Sequence, residues 1–209
     1  MSDLLPLFPL PNVVLFPNVF LPLHIFEPRY REMVADALNG DRLIGMVLLR
    51  PGWEQEYDQQ PPVYPIGCSG LITHVERLSD GRFNIVLRGI ERFRLLEEDH
   101  ERQYRRAIVE PLAERRLSDE DRDCLRTHRA KLESLLSPAL SSNETEQRTT
   151  AMSDEDLVNA LAQYLSLDPL EKQALLEQQG LRNRAESLVE LIEMKILIAK
   201  TPGVSSIAH

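Results

Sequence analysis

The chain has 209 residues, 43% of them hydrophobic, enough apolar side chain for one large domain or two small ones. Its 24 basic and 33 acidic residues leave a net charge of −9, so long-range repulsion disfavours general binding to nucleic acid or to an anionic membrane. Two cysteines exclude a disulfide framework, no run is long and apolar enough to span a membrane, no leader-like segment opens the chain, and the cytoplasm is the expected compartment.

Leu4 to Pro11, Val13 to Pro17 and Phe20 to Ile25 are short apolar runs broken by proline. An internal proline removes a backbone donor and collides with the preceding helical turn, so these runs predict short strands and bends. Pro28 suits the first turn of a helix, and Tyr30, Met33, Val34, Ala37 and Leu38 follow it at helical spacing. Leu43 to Leu49 reads as a buried strand stopped by Pro51-Gly52, and a polar loop then carries Trp53, Tyr57 and Tyr64. Strands over Ile66 to Arg77 and Phe83 to Leu87 flank Asp80-Gly81, a strong hairpin signal. Gly89 predicts a bend or bulge before a strand at Ile90 to Leu95, and a last strand lies around Tyr104 to Pro111.

After Glu114 the composition turns helical and all four lysines occur, Lys131, Lys172, Lys195 and Lys200. Ser118 with Asp121 opens a helix to about Leu136, and Ser153 with Asp156 opens a second in which Leu157, Leu161, Tyr164 and Leu165 share a face. Asp168-Pro169-Leu170-Glu171 starts a third, stopped by Gly180. Asn183 and Glu186 begin a fourth, with a stripe of Leu188, Leu191, Ile192, Ile196 and Ala199. The expected class is α+β: a mostly antiparallel β lobe with an embedded helix over 1–115, then a helical lobe over 116–209 with a polar connection near 137–152.

Residues with chemical potential do not assemble by spacing. Gly67-Cys68-Ser69-Gly70 is not a nucleophile elbow and lies inside a strand. Cys68 and His74 share strand parity but stand about 20 Å apart along an unbent strand. His24 with Glu27 and His74 with Glu76 are isolated pairs, and His100 sits among carboxylates in a surface turn, so no metal site is expected. Arg88, Arg92 and Arg94 form either a basic patch or, with Glu91, Glu97 and Glu98, a salt-bridged outer face.

The succession from Leu4 through LPLHIFEPRYR at Leu21 to Arg31 resembles the start of the Lon protease N-terminal domain, the substrate-binding module of an ATP-dependent protease, and looks most like stand-alone bacterial proteins that carry this domain. Arg42 to Val47, Tyr64 to Gly70 and Asp80 to Phe93 extend the resemblance. It implies a PUA-like β-barrel for the first lobe and recognition of polypeptide, namely exposed apolar segments of unfolded or client proteins, as an adaptor or recognition module. Client polypeptide is the expected partner, with a cellular protease or chaperone as a second. No glycine is followed by lysine, so the phosphate-binding loop is absent, and nothing matches the Lon-type serine-lysine catalytic domain. A non-enzymatic protein without cofactor is expected. The candidate peptide-binding residues are Phe26, Arg29, Tyr30, Trp53, Tyr57 and Tyr64, aromatic anchors beside one arginine, although the same aromatics would also serve as packing or as a cover over the barrel end. The alternative is an RNA- or nucleotide-binding regulator that uses the PUA-like surface, recognisable by a steep loss of affinity with salt.

Overall fold

The computed structural model describes residues 4–54, 60–99, 101–136 and 152–200. The chain divides into two compact units, Met1–Ala113 with Asn159–Glu177, and Glu114–Val158 with Gln178–His209.

The first unit is built on β1 (Leu5–Leu10), β2 (Phe20–Ile25), β3 (Leu43–Leu48), β4 (Ile66–Arg77), β5 (Phe83–Asp99) and β6 (Arg106–Pro111), with α1 (Pro28–Asn39) between β2 and β3. The strands are ordered β2-β5-β4-β3-β1-β6, and β6 returns to pair with the far half of β5, so five strands close into a ring. Only β1 and β3 run parallel, with Leu7 opposite Gly45 and Leu10 opposite Leu48. β2 lies outside the ring against the first half of β5. Its Pro22 has no N–H to offer, and the Phe20 carbonyl accepts a 3.0 Å hydrogen bond from Tyr164 Oη. Inward alternation places Leu7, Ile44, Met46, Leu48, Ile72, Ile85, Leu87 and Phe93 in the core.

Two backbone approaches require glycine. A Cβ on Gly89 would stand 2.0 Å from the Phe16 carbonyl oxygen, and one on Gly67 2.4 Å from the Met46 carbonyl oxygen. The expected break at Gly89 is a bulge within one 17-residue strand: Gly89 faces Gly70 and Glu91 faces Ser69, leaving Ile90 extra. A second shift, between Ile72 and His74, overturns the shared parity of Cys68 and His74. Cys68 is buried and His74 is exposed, because the extra Thr73 reverses the alternation.

Two helices contribute to the first unit: α3 (Asp154–Tyr164) from Asn159 onward, and α4 (Pro169–Glu177). Gln163 Oε1 accepts from Phe16 N–H at 3.2 Å, Gln173 Nε2 donates to the Ile66 carbonyl at 2.9 Å, and Arg92 Nη1 donates to the Leu176 carbonyl at 2.9 Å. These bonds tie residues 159–177 to the strands, where a division near residue 115 sets them among the helices. The expected α3 face is also displaced. Leu157, Val158 and Ala162 are buried, whereas Tyr164 projects outward to reach Phe20.

The second unit holds α2 (Asp119–Leu136), the start of α3, and α5 (Leu181–Lys200). α2 packs on α5, burying Leu125 and Leu132 from one and Leu181, Leu188, Val189 and Ile192 from the other. Arg182–Asp121 and Lys131–Glu193 ion pairs flank that seam, and Arg129 joins α2 to the α3 start through Asp154 and the Met152 carbonyl. Both expected caps form: Ser118 Oγ accepts from Asp121 N–H, and Ser153 Oγ from Asp156 N–H, each at 3.1 Å. The Ser118 hydroxyl, Arg182 and the Ser118 N–H together hold the Asp121 carboxyl below its usual range. α5 starts at Leu181, two residues before the expected Asn183, because Gly180 at φ +85 reverses the chain and its carbonyl accepts from Arg184 N–H. Residues 137–151 of the expected polar connection lie outside the described residues. Among the described residues no helix is long and apolar enough to cross a membrane.

Candidate functional site

The chain enters α1 through extended Glu27 followed by Pro28, and Arg31 N–H closes the first turn on the Glu27 carbonyl at 2.9 Å. Tyr30, Met33, Val34 and Ala37 form its buried face, and the Tyr30 ring lies 4.4 Å from that of Phe8 on β1. With that face fixed, the flanks of α1 border the depressions of the first unit.

One of them is a groove of about 1640 Å³ of empty space up to its mouth, running from the C-terminal end of α1 past the starts of β1 and β3 to β6. Leu5 and Phe93 form its floor and belong to the buried cluster that includes Leu7, Val47 and Ala107. Leu43 and Val109 pack against that cluster while keeping part of their surface open. The rim carries Asp36, Asp41 and Glu91 as well as Arg102 and Arg106.

Both rim arginines and Asp36 are engaged. Arg106 pairs with Asp99, and Arg102 stands 3.6 Å from Glu32 and 3.9 Å from Asp36. Tyr104 Oη donates to Asp36 Oδ2 at 2.7 Å. Burial first, and then this carboxylate, push the Tyr104 phenol up to about 12, so it remains a neutral donor at physiological pH. Ser69, also on the groove, donates its Oγ proton to the Glu91 carbonyl at 3.1 Å.

Of the candidate aromatic and arginine residues, two share a pocket. Arg29 and Tyr30 line a smaller pocket of about 400 Å³ with Gln60, Pro61, Tyr104 and Arg105. Arg29 bonds Glu27 at 2.9 Å and lies 4.7 Å over the Tyr30 ring. Arg105 grips Glu98 and donates to the Pro61 carbonyl at 2.7 Å, anchoring the end of the loop. Phe26 is 60% exposed, its ring 6.2 Å from that of His24. Trp53 and Tyr64 are half-buried at the two ends of the loop, and Arg50 covers the Tyr64 ring at 5.3 Å. Tyr57 lies outside the described residues.

The basic patch of Arg88, Arg92 and Arg94 does not form. Arg92 is 5% exposed and directed at the last carbonyls of α4, which leaves Arg88 and Arg94 as separate surface residues. The positive guanidinium suits the negative end of the helix. Among the described residues no group of three or more His, Cys, Asp and Glu is arranged to hold a metal ion. Sequence reading also missed the groove, because Leu5, Leu43, Phe93 and Val109 carry the same apolar signal as any strand core.

Comparison with known proteins gives a consistent result. The family described as the ATP-dependent protease La (LON) substrate-binding domain matches residues 4–194. The Lon protease of Flavobacterium johnsoniae is 27% identical over 197 residues, covering 92% of this chain and 24% of that protein. Lon protease 2 of Myxococcus xanthus is 28% identical over 202 residues, covering 95% and 24%. The chain thus spans about a quarter of the length of these curated relatives. Among solved structures, the N-terminal domain of a Mycobacterium avium complex Lon protease superposes with a TM-score of 0.69 at 18% identity, covering 91% of this chain and 98% of that one. A Lon N-terminal domain protein from Xanthomonas campestris gives 0.59 at 24% identity, covering 96% and 99%. At these identities the two structures support the fold alone.

Proposed function

Because the chain belongs to the ATP-dependent protease La (LON) substrate-binding domain family, we propose that it recognises polypeptide without chemical turnover, holding exposed apolar segments of unfolded client proteins in the groove beside α1. The observation that carries this reading is the groove floor, where Leu5 and Phe93 extend the buried core to an open surface continued by Leu43 and Val109. Apolar side chains of an extended segment lose water against such a floor, and the ordering entropy of the unfolded client keeps the affinity modest and the capture reversible. Arg29 and Tyr30 at the small pocket, with Phe26, Trp53, Tyr57 and Tyr64, are proposed as secondary contacts. In a cytoplasmic setting such capture would pass clients to a protease or chaperone.

The rim argues against the RNA-binding alternative. Its two arginines are already paired with carboxylates, and Asp36, Asp41 and Glu91 would repel phosphate. Fluorescence anisotropy with a permanently unfolded client and its folded counterpart tests the proposal. Tighter binding of the unfolded form, weakened by Val109→Asp without a matching shift in the urea midpoint, is the expected result. Equal, weak binding of both forms overturns it.

A further inference from the structure

Another depression, distinct from the groove and the small pocket, lies at the N-terminal end of α1, with about 800 Å³ of empty space up to its mouth. Pro28, Arg31 and Glu32 line it from the helix, and Arg77, Gly81 and Phe83 line it from the β4–β5 hairpin. Arg31 lies directly on Gly81, so closely that a Cβ there would stand 2.1 Å from Arg31 Nη2. Gly81 sits at φ +82, which the turn needs in any case. Arg77 rests on an aromatic surface, its guanidinium carbon 5.1 Å from the centre of the Phe83 ring.

The Arg77 guanidinium is therefore backed by the Phe83 ring and that of Arg31 by the Gly81 turn, while their N–H donors stay available. Among the described residues neither the Arg31 nor the Arg77 side chain has a hydrogen bond or an ion pair, although carboxylates are in excess by nine in the chain. Their neighbours are paired: Arg82 with Asp80, Arg29 with Glu27, and Arg102 with Glu32, the one carboxylate on the pocket wall. Two unneutralised guanidiniums converging on one concavity beside the positive end of a helix form a receptor for negative charge.

We propose that this pocket binds the carboxylates of an acidic polypeptide segment, with Arg31 and Arg77 as paired donors. Planar carboxylates match the guanidinium fork, and held arginines lose little freedom on engaging them. This deepens the polypeptide-recognition reading by adding a preference for acidic side chains outside the apolar groove. Phe26, 60% exposed two residues before Pro28, offers an aromatic contact next to the arginine pocket along the chain.

The test is an NMR titration of the full chain at low salt, following the Nε–H signals of Arg31 and Arg77 and the Gly81 amide. The probes are a glycine-serine peptide carrying a run of glutamates and the same peptide with glutamines. Saturable shifts with the first, at least about tenfold weaker with the second, are expected, with affinity falling as salt rises. Arg31→Gln with Arg77→Gln should remove the difference between the peptides. Arg31→Lys with Arg77→Lys, which keeps the charge and loses the fork, should retain only part of it, and covers the case in which the glutamine pair fails to fold. No saturable shift, or equal shifts with both peptides, overturns the proposal. An apolar client without acidic residues, titrated in parallel, reports on the groove alone, so either site can fail while the other stands.

Discussion

In the first unit, buried polar side chains find backbone partners far along the chain: Gln163 serves Phe16 across 147 positions, Gln173 serves Ile66 across 107, and Arg92 serves Leu176 across 84. In the second unit many of the polar bonds are short in sequence, such as the Ser118 and Ser153 caps and the Arg122–Asp119, Arg126–Asp123 and Arg129–Glu133 pairs three or four residues apart. Arg184, fully buried and 2.6 Å from Glu114, is a long-range exception there. Local bonds fix where a helix starts, whatever it packs against, whereas long-range bonds to backbone specify one packing arrangement, since a misplaced partner leaves a buried polar group unsatisfied. The unit that carries the groove and the arginine pocket is thus the one whose geometry is set by distant partners.

Substitutions can break or sharpen this contrast. The largest loss is expected for Gly89→Ala, where the new Cβ meets backbone atoms of Phe16 and Pro17 that cannot swing aside; chemical denaturation should show more than about 3 kcal/mol of destabilisation. A value near zero would mean that the Phe16 segment moves freely, and the close backbone approach at Gly89 would not be a constraint on the fold. Arg184→Ala should cost about 3 kcal/mol by leaving Glu114 without its buried partner, the low end of the range because Glu114 keeps a quarter of its side chain in solvent.

Arg92→Met should cost about 2 kcal/mol through loss of the charged hydrogen bond to Leu176. Hydrogen exchange should rise over 169–177; unchanged protection there would separate Arg92 from α4. Ser153→Ala should cost about 1 kcal/mol, with faster exchange confined to the first turn of α3. A loss spread through both units would show that local caps are not local in effect.

The smallest effect at neutral pH concerns Tyr104. Its phenol is raised from 10.0 to about 12 in the folded chain, so the folded form holds the proton more tightly. The stability this adds is fully present below pH 10 and is lost as pH rises from about 10 through about 12. Absorbance titration should show a tyrosine step near pH 12, and Tyr104→Phe should remove that step together with this part of the alkaline destabilisation.

How much was legible in advance follows the same division. β4 was bounded at Ile66 and Arg77, and the Ser118, Ser153 and Pro169 helix starts were placed, because caps, prolines and hairpin glycines act within a few residues. Arg88, Arg92 and Arg94 look alike in the sequence, yet only Arg92 is covered, by a helix 84 positions away that no local pattern announces. The extra Thr73 in β4 defeated the parity of Cys68 and His74 for a similar reason, since bulge placement answers to the partner strand. At the site, aromatic content drew attention to Trp53, Tyr57 and Tyr64, while the arginine pocket depends on which cations lack partners, a property that exists only once the chain is folded.

The guarded outer strand has a further consequence. β2 ends the sheet, with Pro22 unable to donate and the Phe20 carbonyl occupied by Tyr164. A bare rim of that kind would invite any extended chain to prolong the sheet, and a molecule that meets unfolded chains would then risk seeding fibrils from its own cargo. With those main-chain positions closed, the proposed client would be held through its side chains, and its release would need no unzipping of a backbone ladder at β2.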